Sequence, residues 1–166
     1  DYPANEGIPE LKKEIVDWVQ RRYSVFLDPQ QHILALNGTR EGLYNSLIAL
    51  CPEKKNNSQP IVLIPNPFYQ VYMASSLTVN AEPYFVEAAP QNNHLPDFST
   101  VPKDILLRTA GVYICSPSNP QGAVATREYW IELLNLAEQY DFTIFADECY
   151  AEIYRDQPPP GALEAL

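Results

Sequence analysis

The run Phe145-Ala146-Asp147-Glu148-Cys149-Tyr150 puts a carboxylate at the end of an apolar segment and a phenol three residues later. A carboxylate in a dry site is costly unless a positive charge or several donors meet it. Asp147 therefore suits a protonated heteroaromatic nitrogen, and Tyr150 an oxygen on the neighbouring ring carbon. Upstream, Ser116-Pro117-Ser118-Asn119-Pro120-Gln121-Gly122 offers a second donor to that oxygen, the Asn119 amide, in a turn that Pro and Gly would fix. Each run also has a plainer reading. Asp147 could be a helix cap followed by a core Tyr, and the Asn119 run an ordinary turn.

Two further runs fit the same chemistry. Asn37-Gly38-Thr39-Arg40-Glu41 joins an apolar segment to a helical pattern. Unpaired amides and the helix dipole at such a junction favour an anion. Gly38 permits close backbone approach there, and the Thr39 hydroxyl can add a hydrogen bond. An ordinary capped helix is the alternative. Pro65-Asn66-Pro67-Phe68-Tyr69-Gln70-Val71-Tyr72 supplies aromatics that could stack on a flat ring or pack into the core.

The elements that would carry these runs follow from periodicity. Ile8, Leu11, Ile15, Trp18 and Val19 recur at helical spacing, with Pro9 in the first turn, so residues 9–23 are predicted helical. Residues 33–36 read as a short strand, followed by a helix to about residue 51. Continuous apolar runs predict strands over residues 61–64, 83–86, 111–115 and 142–146. Helices are expected over residues 69–77, 103–108 and 126–140, the last capped by Thr126. Residues 53–59 and 91–102 read as loops. Strands alternating with helices imply an α/β architecture with a mainly parallel sheet, flanked by helices in three layers. Ligands in such sheets sit beyond the carboxyl ends of strands, where the motifs fall.

Composition narrows the function classes. The 166 residues are 46% hydrophobic, enough for a compact core, and carry a net charge of −10. That acidity argues against nucleic acid and anionic membranes as partners. No apolar run approaches the ~18 residues of a membrane span, and the N-terminus lacks a leader pattern. Cys51, Cys115 and Cys149 stand at no metal spacing and read as reduced core thiols, in keeping with a cytoplasmic protein. His32 and His94 are expected on the solvent side or in loops. The 16 prolines are roughly double the usual share of about 5%. The chain begins at Asp1 and stops after Leu166 without a stop signal, and so reads as a piece of a longer protein.

Taken together, the four runs resemble the fold-type I, pyridoxal-phosphate (PLP)-dependent aminotransferases of class I and II, over nearly the whole chain. The resemblance implies that residues 1–166 are part of the PLP-binding large domain, with 1–30 as an N-terminal helical segment and the small domain absent. It assigns Gly38, Thr39 and Arg40 to the cofactor phosphate, Tyr69 to stacking on the ring, Asn119 and Tyr150 to the ring oxygen, and Asp147 to the ring nitrogen. Gln121 stands where the family usually has Thr. Tyr2-Pro3-Ala4-Asn5-Glu6-Gly7-Ile8-Pro9-Glu10-Leu11-Lys12 resembles the segment whose Tyr reaches a neighbouring subunit's phosphate, so Tyr2 implies a homodimer. Lys12, Lys13, Lys54, Lys55 and Lys103 have helical-surface or loop contexts, and none follows Tyr150, where the family carries its Schiff-base lysine. Amino acids and oxo acids would be the substrates. Residues 37–41, 65–69 and 147–154 look most like the N-succinyldiaminopimelate aminotransferases, which use glutamate as donor. Another fold-type I enzyme, such as an aspartate or aromatic aminotransferase or a C–S lyase, and a non-catalytic aminotransferase-like regulatory domain are the alternatives.

Overall fold

The computed structural model describes residues 5–166, so Tyr2 lies outside the described residues. The elements run in the order α1 (Pro9–Tyr23), α2 (Thr39–Leu50), β1 (Ile61–Asn66), α3 (Gln70–Thr78), β2 (Glu82–Glu87), α4 (Lys103–Arg108), β3 (Thr109–Cys115), α5 (Arg127–Tyr140) and β4 (Thr143–Asp147). The strands form one parallel sheet in the order β2-β1-β3-β4. From β1 the chain moves outward through α3 to β2. It then crosses back through α4 to β3 and continues outward through α5 to β4. The direction of winding thus reverses between β1 and β3, which leaves a crevice at their carboxyl ends.

The apolar strand runs are two-sided because helices cover both faces. Along β1, Ile61 and Leu63 join Val112, Ile114, Trp130, Leu133 and Phe142 on the α5 side. Val62 and Ile64 turn the other way, toward Leu47 of α2, Tyr72 of α3, Tyr113 and Phe145. Burying such a side chain contributes about 1.5–3 kcal/mol. Gly111 makes one close approach possible, since a Cβ there would stand 2.8 Å from Cε2 of Phe145. The Thr126 hydroxyl accepts from the Tyr129 amide at 3.2 Å, as a cap should, and Pro9 opens α1.

Two expectations fail here. Residues 33–36 form no strand. An extended segment becomes a strand only when a neighbour takes its N–H and C=O groups. None of β1 to β4 does so, and Leu34 and Leu36 stay 66% and 54% exposed. The helical stripe of α1 is only partly covered. Ile8, Leu11 and Trp18 are exposed, while Lys12, predicted to lie on the surface, is 2% exposed with the Glu6 carboxylate 3.6 Å away. Helical spacing gave the period of α1 but not the side that its neighbours cover. Among the described residues, no helix is long and apolar enough to cross a membrane.

Candidate functional site

The carboxyl ends of β1, β3 and β4 and the start of α2 enclose a cavity of about 500 Å³. Thr39, Tyr69, Asn119, Asp147 and Tyr150 all line it, so residues from four separate runs of the chain meet in one place. Gly38 and Arg40 flank Thr39 at the N-terminus of α2. No side chain caps that end, and helix amides of the first turn have no partner within the helix. A Cβ on Gly38 would meet nothing within 4 Å, so the approach to these amides is open.

Asp147 ends β4 at the cavity wall and is 8% exposed. Its Oδ2 accepts a 2.7 Å hydrogen bond from the Tyr72 hydroxyl, and its Oδ1 a long one, 3.4 Å, from the Cys149 amide. Among the described residues no Lys, Arg or His is ion-paired with it. Burial, and after it the Asp147 charge, hold the Tyr72 phenol well above the usual tyrosine range, so Tyr72 stays a donor. Its ring stacks on Tyr113 at 4.4 Å and 7°. Tyr113 in turn stacks on Phe145 and donates to the Leu43 carbonyl at 2.7 Å.

The Asn119 amide donates to the Tyr150 hydroxyl at 3.0 Å, which joins the two residues predicted to share one ligand oxygen. The Asn119 turn is closed by hydrogen bonds from the Gly122 amide to the Ser118 carbonyl, 2.8 Å, and from the Ala123 amide to Ser118 Oγ, 2.9 Å. Gly122 lies at φ +69°, in the left-handed region that glycine enters without steric cost. Arg40 Nε donates to the Tyr69 hydroxyl at 2.7 Å, tying the anion end of the site to the predicted stacking ring. Neighbouring Phe68 packs on Phe85 at 5.0 Å instead.

Glu148 braces this end of β4 from behind. Its Oε2 accepts from the Tyr23 hydroxyl at 3.1 Å and its Oε1 from the Ala162 amide at 2.8 Å. Burial raises its pKa above the ordinary carboxylate value. Nearby, Arg22 bonds Glu152 at 2.8 Å and the Pro159 carbonyl at 2.9 Å, so the end of α1 is fastened to the segment after β4.

The cavity also holds side chains to which the sequence reasoning gave no ligand role. Tyr72 received no ligand role from the sequence, where it could equally stack or pack into the core; it lies in the first turn of α3, just after the N-cap Tyr69. His94 is exposed in a turn, as expected, and that turn also lines the cavity. Nothing in the sequence signals that. Cys115 and Cys149 line it too. Burial first, and then the Asp147 charge, push the Cys115 thiol up to about 12 and the Cys149 thiol up to about 11. His32, as expected, is exposed, and accepts from the Asp28 amide at 2.8 Å. Among the described residues, no lysine lines the cavity.

A parallel α/β sheet whose crevice gathers an anion-ready helix start, a buried carboxylate and an Asn–Tyr pair defines a class of ligand-binding enzyme fold. The family model for class I and II aminotransferases matches residues 1–165, and this chain belongs to that family. The family is PLP-dependent. An LL-diaminopimelate aminotransferase of Aquifex aeolicus (strain VF5) is 34% identical over 162 residues, which is 98% of this chain and 41% of that protein. An aminotransferase structure from Neisseria meningitidis Z2491 superposes with a TM-score of 0.91 at 36% identity, over 99% of this chain and 42% of that one. A Thermus thermophilus structure described as a "probable N-succinyldiaminopimelate aminotransferase" gives a TM-score of 0.82 at 28% identity, over 92% of this chain and 40% of that one. The chain thus spans about two fifths of the length of the relatives it matches.

Proposed function

We propose that residues 1–166 are part of the PLP-binding large domain of an aminotransferase that exchanges amino groups between amino acids and 2-oxo acids. The observation that carries this is Asp147, a buried carboxylate at a cavity wall with no cationic partner among the described residues. A pyridinium nitrogen supplies the missing charge. When bound, PLP acts as an electron sink for the bonds at the substrate Cα. Asp147 would pair with the protonated ring nitrogen, with the Tyr72 hydroxyl orienting the carboxylate. Asn119 and Tyr150 hold the ring oxygen. Tyr69 would stack on the ring. The amides of α2 with Gly38, Thr39 and Arg40 take the phosphate. A lysine from outside these residues would anchor the cofactor and serve as the proton carrier. Tyr2 serves the phosphate site of a second copy, so a homodimer belongs to this reading. A cytoplasmic location does as well, supported by three unpaired cysteines.

The substrate belongs to the diaminopimelate class. Resemblance over residues 37–41, 65–69 and 147–154 favours transfer from glutamate to N-succinyl-2-amino-6-oxopimelate. The name of the Aquifex relative supports LL-diaminopimelate as a second reading. Values of kcat/KM for the two substrates on the whole enzyme decide between them. A tenfold preference for aspartate, aromatic or branched-chain amino acids removes both and leaves the aminotransferase.

Titration of the chain with PLP, followed by absorbance and by thermal shift, tests the cradle. Asp147→Asn should weaken binding at least about tenfold, equivalent to ~1.4 kcal/mol. Borohydride should trap no stoichiometric adduct on any of the five lysines. An Asn variant that binds PLP as tightly as the parent chain would sink the assignment.

A further inference from the structure

Two sulfurs in the cavity have no part in the cradle. Cys115 ends β3 in register with Asp147, and Cys149 follows Asp147 by two residues. Both Sγ atoms and a carboxylate oxygen of Asp147 lie within 4.8 Å of one another. We propose that Cys115, Cys149 and Asp147 form a binding site for a thiophilic divalent cation of the zinc class.

The donor set selects the ion. Two sulfurs and one carboxylate suit zinc, whereas magnesium and calcium take oxygen ligands almost alone. Tetrahedral zinc, with bonds of about 2.3 Å to sulfur and 2.0–2.2 Å to oxygen, holds its ligand atoms about 3.5–3.8 Å apart. The trio reaches that spacing with shifts of about 1 Å. The surroundings also fit a cation. Asp147 is buried and lacks an ion pair among the described residues, so a bound cation would offset the cost of its burial. The Tyr72 hydroxyl occupies Oδ2 and fixes the carboxylate, as outer partners of metal ligands do, while Oδ1 has only the long contact to the Cys149 amide. Cys149 is exposed, which gives an ion its path in, and the remaining ligand position opens on the cavity. On binding, each thiol exchanges its S–H bond for a sulfur–metal bond and releases its proton to solvent.

One consequence rests on the proposed cofactor cradle: Asp147 cannot serve a metal ion and a ring nitrogen together, so cation and PLP exclude each other. The test starts with the reduced chain titrated with Cd²⁺, whose thiolate charge-transfer band reports sulfur ligation, and then with Zn²⁺ in competition. One ion per chain is expected. Cys115→Ser and Cys149→Ser should each weaken binding at least tenfold, and Cys51→Ser, at the end of α2, should leave it unchanged. Iodoacetamide labelling of the unmutated chain gives a reading independent of how the variants fold. Zn²⁺ should shield Cys115 and Cys149, and Cys51 should react alike with and without it. A charge-transfer band that survives both serine variants, or labelling indifferent to Zn²⁺, overturns the site. PLP should raise the apparent Kd for Zn²⁺ at least tenfold. Cysteine-dependent metal binding that ignores bound PLP overturns the exclusion. PLP binding without cysteine-dependent metal binding overturns the metal site and leaves the cradle standing.

Discussion

Tyr72→Phe removes one oxygen and leaves a ring. In the folded chain that oxygen donates to Asp147 at 2.7 Å, and both partners are buried at the cavity wall: Tyr72 is 1% and Asp147 8% exposed. A hydrogen bond to a charged acceptor contributes about 1.5–3 kcal/mol. The stack on Tyr113 survives the change, so its contribution of about 0.5–1.5 kcal/mol is retained. The rest of the support for Asp147 is the 3.4 Å contact from the Cys149 amide. A double-mutant cycle of Tyr72→Phe and Asp147→Ala isolates the pair. Urea unfolding of the four proteins at neutral pH should give a coupling of about 1.5–3 kcal/mol with unchanged m-values. A coupling below about 0.5 kcal/mol, the usual limit of additivity for independent sites, would refute the claim that Tyr72 holds Asp147.

Glu148→Gln should change how stability depends on pH. The folded pKa of Glu148 is raised by burial from 4.5, so the folded chain binds more protons than the unfolded chain just above that value. The stability contributed by the protonated acid is full below 4.5 and is lost as pH rises through the raised value. Parent-minus-variant stability, followed by urea unfolding across that window, should fall with pH, and a flat difference would contradict the burial argument. Trp130→Ala empties a fully buried position between α5 and the sheet, and should cost about 3–5 kcal/mol, read as a drop in urea midpoint. Gly111→Ala forces a Cβ to 2.8 Å from Phe145 and should cost about 1–3 kcal/mol; an unchanged Tm would show that Phe145 can move aside.

Much of the layout is local and was legible along the chain. Continuous apolar runs marked β1, β3 and β4 because both faces of a parallel strand are covered, and such a run needs no knowledge of its partner. Pro9 and Thr126 marked helix starts through their own backbone and hydroxyl chemistry. Asn119, Asp147 and Tyr150 stood out because a strand end or a rigid turn already aims a side chain beyond the sheet. Five of the candidate residues then met in one cavity without further adjustment.

What needed the tertiary structure depends in each case on a partner far away in sequence. Residues 33–36 carry strand composition, but pairing requires a neighbour, and none of β1 to β4 supplies it. Lys12 has the charge of a surface residue, yet the packing around α1 buries it beside Glu6. His94, in the loop after β2, lines the cavity beside residues of β1, β3 and β4. Tyr72 and Asp147 are 75 positions apart, and only the packing of α3 on the sheet makes one the hydrogen-bond donor of the other. Cys115 and Cys149 came to flank one carboxylate through the register of β3 against β4. Periodicity and turn chemistry act over a few residues. Burial, register and ion pairing are properties of surfaces that exist only once the chain has folded.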